Sequence, residues 1–238
     1  RDAVEDQRNR HLGRQHALLA LLLPGVEEDA EALETVCADE SPAAYVQRVT
    51  HAKADAAVQR WQRRQLPPAP ILCADTTVTL DDRILGKPAN AADAAAMLRQ
   101  LSGRRHQVLT ALVLHDPASG QRQSACSVSD VWFDTLDDAR IDAYVATGEP
   151  FGKAGSYGIQ GRAAAWVARI AGSFSGIVGL PLFELDQLLR TVLLEGEGSA
   201  RVENSRARAF GAGWRLPGLM GGVAASAGLF GAQQPDRE

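Results

Sequence analysis

The chain has 238 residues, 45% of them apolar and 23% charged, with a formal net charge of −4. That is enough apolar material for a sizeable core in one large domain or two small ones. The mild acidic excess argues against a general nucleic-acid binder, which would carry a basic excess, but leaves room for a locally basic pocket around a small phosphorylated ligand. Cys37, Cys73 and Cys126 are far apart and form no C-x-x-C pair. They fit reduced thiols of a cytosolic protein better than a disulfide framework or a thiolate metal site.

Residues 1–24 are polar and then leucine-rich and begin on Arg rather than Met, and the charged stretch Arg1–His16 contains no apolar core of a secretory signal. Ser41-Pro42 marks a helix start, a capping hydroxyl followed by proline at the first helical position. The helix is expected to run to about Arg64, ahead of Pro67-Pro68. Val46, Val49, Lys53, Ala56 and Ala57 share one of its faces. Ile71 to Leu80 is predicted as a strand by its β-branched content. Asp81-Asp82 marks a turn and Gly86-Lys87-Pro88 a loop.

Asn90 caps a helix to Leu101, ending near Ser102-Gly103. His106–Leu114 and Cys126–Phe133 are predicted strands, with Asp116–Gln123 as the hairpin connection. Leu136–Thr147 is a short helix with Ile141, Tyr144 and Val145 inward and Gly148 after its end. Ala164–Ile170 is predicted as a strand. Gly172-Ser173-Phe174-Ser175-Gly176 is a glycine and serine loop, and Pro181–Arg190 a final helix with Leu182, Leu185, Leu188 and Leu189 on one side. Strands alternating with helices define an α/β class. From 191 to 238 the composition shifts to Gly, Ala, Arg and Ser, as in a disordered tail. Leu216–Ala232 is uncharged but too short and too weakly apolar for a membrane span.

Several side chains stand out chemically. Asp75 ends the apolar run Ile71-Leu72-Cys73-Ala74, where an acid is costly to bury unless it is paired or binds a metal. It could instead cap the backbone near Thr76 or Thr77. Lys53 is a cation on an apolar stripe, either snorkelling at its edge or pointing into a site at the sheet. Lys87 is either a solvated loop lysine or a site cation. Lys153-Ala154-Gly155-Ser156-Tyr157-Gly158-Ile159-Gln160-Gly161 is dense in glycine, which lets backbone N–H groups approach phosphate oxygens. Neither the G-x-G-x-x-G nor the Walker spacing occurs, no nucleophile elbow follows a strand, and the five histidines adopt no metal-ligand spacing.

Taken in order, Ala74-Asp75-Thr76, Leu85-Gly86-Lys87-Pro88, Met97-Leu98, Leu101-Ser102-Gly103-Arg104 and His106-Gln107-Val108 form a connected set. Gly148-Glu149-Pro150, the Lys153–Gly161 segment and Val178-Gly179-Leu180-Pro181-Leu182 continue it. Over about residues 24–190 the set resembles the Maf family of nucleoside triphosphate pyrophosphatases. The resemblance implies a mixed, twisted sheet flanked by helices, with a cleft between two lobes. The implied reaction is hydrolysis of a nucleoside triphosphate to the monophosphate and pyrophosphate. Ala-Asp-Thr and Tyr-Gly-Ile-Gln-Gly look like the branch acting on dTTP and UTP rather than the branch acting on methylated GTP.

By the same resemblance Asp75 is the proton acceptor, and Thr76 and Gln160 hold the specificity positions. Glu28, Lys53 and Lys87 fall where the family has polar site residues. Lys53, Lys87 and Lys153 would supply positive charge for the phosphates. Asp75 with Glu28 would hold Mg²⁺ or Mn²⁺ through oxygen. A nucleotide substrate, a cytoplasmic setting and the homodimer common in the family are implied, with neither a nucleic-acid polymer nor a membrane as partner.

The family opens with a Ser-x-Ser-Pro-Arg-Arg loop, and this chain has no Ser-Pro-Arg-Arg. The expectation drawn from that departure is twofold. Residues 1–24 are an atypical or truncated segment, with residues 1–20 and 191–238 arising from a reading-frame slip or truncation. The alternative to an active enzyme is a catalytically impaired nucleotide-binding regulatory protein. Residues 25–190 form the expected catalytic domain.

Overall fold

The computed structural model describes residues 33–194. The first helix, α1 (Pro42–Arg63), starts where the sequence requires: Ser41 caps it through the Ala44 N–H and Pro42 occupies its first turn. Its buried stripe of Val46, Val49, Ala54 and Ala57 packs on one face of a five-stranded sheet. Each fully buried valine there contributes roughly 1.5–3 kcal/mol.

The strands are β1 (Ile71–Leu80), β2 (Arg83–Leu85), β3 (Arg105–His115), β4 (Arg122–Phe133) and β5 (Val167–Ala171). Their spatial order is β2-β1-β3-β4-β5, and every pairing among them is antiparallel. The α/β class holds. The parallel component of the expected mixed sheet is not found among the described strands.

Period-two alternation along β1 sends neighbouring residues to opposite faces. Ile71 and Cys73 pack with Ala54, Ala57 and Val113 under α1. Leu72 meets Leu112, Leu114, Leu185 and Leu188 on the other side. Val78 and Leu80 join the largest core cluster on that second face, with Leu98, Leu101, Val131, Phe133, Tyr157 and Trp166. The second face is covered by α2 (Ala91–Leu101), α3 (Asp138–Val145), α4 (Phe174–Val178) and α5 (Leu182–Leu194). Asn90 and Asp137 cap α2 and α3 through the N–H groups of Asp93 and Arg140.

Several elements differ from the sequence expectation. The three-residue β2 lies between the Asp81-Asp82 turn and the Gly86-Lys87-Pro88 loop, both of which are found, over residues the sequence left unassigned. β4 begins at Arg122, four residues early, because the polar stretch Arg122–Ala125, which carries no strand pattern of its own, is laddered onto Leu112–His115 of β3. Arg162–Trp166 forms a 3₁₀ helix where a strand was expected, so β5 starts only at Val167. The Ser173–Gly176 stretch read as a loop is the start of α4, capped by the Ser173 hydroxyl on the Gly176 N–H. In α5, Leu185 and Leu188 are buried, but Leu182 is half-exposed.

α5 also runs past residue 190, to Leu194. The segments 1–24 and 195–238 lie outside the described residues, as does Leu216–Ala232. Among the described residues no helix is long and apolar enough to cross a membrane, and Cys37, Cys73 and Cys126 are all free thiols.

Candidate active site

A cleft of about 350 Å³ opens beside the middle of β1. The strand is buried at both ends, but Ala74, Asp75 and Thr76 are only partly covered. Among the described strands, β2 pairs with β1 only over Val78–Leu80. The cleft therefore reaches both faces of the strand at the point where Asp75 and Thr76 diverge.

Asp75 points toward α1. Its Oδ1 accepts a short hydrogen bond from the Lys53 ammonium. Lys53 Nζ also donates to Glu34 Oε1 at 2.8 Å, and Lys87 Nζ donates to Glu34 Oε2 at 2.7 Å. Two carboxylates and two ammonium groups thus alternate in one chain of contacts. Lys53, Asp75 and Glu34 are largely buried, whereas Lys87 is half-exposed. Burial raises the Asp75 carboxyl above the ordinary aspartate range, with the Lys53 charge opposing. Burial acts the same way on Glu34, but its hydrogen bonds to Lys53 and Lys87 outweigh it and lower that pKa. Lys53 is stabilised as a cation: the Asp75 charge and the bonds to both carboxylates outweigh its desolvation.

Glu34 sits outside any strand or long helix and is held from α1. The Tyr45 hydroxyl donates to the Glu34 carbonyl at 2.9 Å, and Arg48 Nη2 donates to the Thr35 carbonyl at 2.8 Å. Arg48 also pairs with Glu40 through two bonds of 2.6 and 2.8 Å. The Tyr45 hydroxyl titrates near 12, pushed up by burial and by the Asp75 and Glu34 charges.

The opposite wall is built differently. Thr76 lies on the second face of β1, directly across from Thr110 on β3. Glu149, Gly152, Lys153, Gly158, Gln160, Val178 and Gly179 line the rest of the cleft. The Lys153 ammonium donates to the Glu149 carbonyl at 2.6 Å. Gly155 has φ +68, and a Cβ there would stand 2.8 Å from a Val78 methyl, so only glycine allows this turn to lie against β1. The loop is pinned by Tyr157, whose ring packs edge-on against Phe133 and His106. Tyr157 Oη lies 2.7 Å from His106 Nε2. Burial depresses the His106 pKa to about 4.

Asp75, Thr76, Lys87, Lys153 and Gln160 all line this one cleft, and Lys53 reaches it by its contact with Asp75. Glu28 lies outside the described residues. The carboxylate brought to Asp75 among them is Glu34, which the sequence did not single out. No periodic pattern marks its segment, and its one relevant signal is an acid shortly before a helix that carries a lysine on its apolar stripe.

Comparison with known proteins settles the kinship. The model of the family described as Maf-like protein matches residues 6–192. The chain belongs to the Maf-like family. The match takes in most of the 1–24 segment as well as the five-stranded core. Similar Maf-like relatives carry the name dTTP/UTP pyrophosphatase. One from Cupriavidus metallidurans is 58% identical over 189 residues, covering 79% of this chain and 94% of the relative. One from Ralstonia nicotianae is 56% identical over 188 residues, covering 79% and 90%. A third, from Albidiferax ferrireducens, is 53% identical over 180 residues, covering 76% and 88%.

Proposed function

We propose that this Maf-like protein hydrolyses nucleoside triphosphates, dTTP and UTP foremost, to the monophosphate and pyrophosphate. The observation that carries the reading is the alternating chain Asp75–Lys53–Glu34–Lys87 in a cleft whose other wall presents the Thr76 hydroxyl, the Gln160 amide and Lys153. The names of the relatives support the choice of substrate.

In the proposed reaction the Asp75 carboxylate accepts a proton from water as the water oxygen attacks the α-phosphorus. The bond from the α-phosphorus to the α,β-bridging oxygen breaks, and pyrophosphate leaves with the electron pair. A carboxylate lifted above the aspartate range by burial is a stronger base than a solvated one. Lys53 and Lys87 hold and neutralise the phosphate oxygens, and their charge offsets the charge developing on the leaving group. Lys153, on the facing wall, is the third cation within reach of the cleft. Thr76 and Gln160 read the base.

A divalent cation fits the same residues. Asp75 and Glu34 converge on one nitrogen, and they are oxygen donors of the type that Mg²⁺ and Mn²⁺ prefer. Mg²⁺ is commonly held by one or two carboxylates, with its remaining positions filled by water and substrate phosphates. Bound by Asp75 and Glu34, such an ion would act as a Lewis acid on the phosphoryl oxygens.

The test is pyrophosphate release from dTTP and UTP with Mg²⁺ or Mn²⁺. The parent protein should release pyrophosphate and Asp75→Asn should not. Nucleotide binding without release by the parent would make it a binding protein instead.

A further inference from the structure

Thr76 and Thr110 face each other across the β1–β3 ladder with their hydroxyl oxygens 2.9 Å apart. Considered alone, either could donate. The next link removes the ambiguity. Thr110 Oγ1 also lies 2.7 Å from the Gly176 carbonyl oxygen, which can only accept. A threonine hydroxyl has one hydrogen, so the Thr110 proton belongs to Gly176. Thr76 must then donate its own proton to Thr110. Reversing the chain would set two oxygen lone pairs against each other at that short separation, within a residue that is 1% exposed. The Gly176 carbonyl also accepts from the Gly179 N–H at 2.9 Å, so its position is held from two sides.

We infer that this Thr76→Thr110→Gly176 chain fixes Thr76 as an acceptor toward the cleft, and that Thr110 is the positioning residue for base selection. With its proton committed inward, Thr76 Oγ1 offers only a lone pair to a ligand. Set against the ring-nitrogen position of a base, it accepts from the imide N3–H of uracil or thymine and repels the bare N3 of cytosine, whose donor sits one atom away on the exocyclic amine. Gln160 cannot make this distinction by itself. It is exposed, and its amide carries a donor and an acceptor that exchange places when it flips. Guanine also carries an amide-type ring N–H, so at that ring position the relay separates bases with a ring N–H from cytosine and adenine, whose donors are exocyclic amines, rather than pyrimidines from purines. The inference rests on the base-reading role of this wall proposed above.

The experiment is calorimetric binding of the α,β-imido analogues of UTP and CTP to the full chain, which needs no turnover. The parent should prefer the uridine analogue. Thr110→Val keeps the shape but removes the acceptor that holds the Thr76 proton, and should lower the uridine-to-cytidine affinity ratio by about tenfold or more. Thr110→Ser restores the relay and should keep the ratio within about threefold of the parent. A parent without preference, an unchanged ratio in Thr110→Val, or an equal loss in the serine variant overturns the inference. If thermal unfolding shows Thr110→Val to be misfolded, Thr76→Val decides: retention of the uridine preference overturns the acceptor role. Pyrophosphate release from UTP by the parent is measured separately. A parent that selects the uridine analogue but releases nothing refutes the enzymatic reading and leaves the relay standing.

Discussion

The two faces of β1 solve different problems with adjacent residues. On the α1 face, Asp75 belongs to a chain of full charges, each held by a neighbour of opposite sign. On the other face, Thr76 belongs to a chain of neutral hydroxyls that ends on a backbone carbonyl. Charges act over distance and tolerate small displacements, so the first face suits holding phosphates and moving a proton. A hydroxyl relay has direction but little reach, so the second suits telling one base edge from another. Chemistry and recognition are separated by one residue of sequence and by the thickness of the sheet.

The comparison can be broken most sharply at Asp75. Asp75→Asn should lower kcat for pyrophosphate release by about 10²–10⁴-fold, the range for loss of a general base, with nucleotide affinity retained. In the parent the rate should fall as pH drops through the raised Asp75 pKa, because only the ionised carboxylate accepts a proton. That acid limb lies above the ordinary aspartate range and should vanish from the residual activity of the variant. Equal rates for parent and variant would move the chemistry elsewhere.

The lysines grade the charged face internally. Lys53→Met strands two carboxylates that are largely buried, and should cost about 3 kcal/mol of stability as well as activity. Lys87 is half-exposed, so Lys87→Met should cost under about 1 kcal/mol while still weakening triphosphate binding. Chemical denaturation of the two variants, run beside substrate titrations, measures the contrast. Equal stability losses would mean that burial does not rank these pairs.

Acid should act on the second face through stability rather than rate. His106 is held down to about 4 from 6.5, so between those values the unfolded chain binds a proton that the folded chain does not. Its contribution is fully present above the unfolded value and is lost as pH falls through that window, up to roughly 3 kcal/mol. Denaturation midpoints from pH 7 to 4 read this directly. His106→Gln should be less stable at neutral pH but flatter across the window.

The most local effect is expected at Gly155. Gly155→Ala meets both the positive φ and the Val78 methyl, and should cost about 1–3 kcal/mol. A thermal melt should show part of that cost relieved in the double variant with Val78→Ala, since the two sites touch.

Much of this site was legible in the sequence because β1 carries its own logic. An acid closing an apolar run has few inexpensive explanations, and a lysine on the apolar stripe of a capped helix points toward whatever that stripe covers. Both expectations meet in the Lys53–Asp75 pair. Glu34 was not legible, because its place depends on tertiary bonds from Tyr45 and Arg48 rather than on any local pattern. Thr110 was hidden for a related reason. In a strand it reads as an ordinary β-branched residue, and only the register with Thr76 and the approach of Gly176 give it direction. β2 and α4 were missed because three residues carry no period and because a Ser-Gly run suggests a turn until its cap is seen.

Tyr45, Arg48 and Lys53 all project from α1. The helix that supplies the cation also grips the segment carrying the carboxylate that the cation binds. If α1 shifts on the sheet, through a core substitution or thermal motion, Lys53 and Glu34 travel together like two jaws on one arm. Their mutual spacing is insulated from such a shift, and the distances that change are those to Asp75 and to Lys87. Mechanical error in this half of the molecule is thereby concentrated where the α1 assembly meets Asp75 and Lys87.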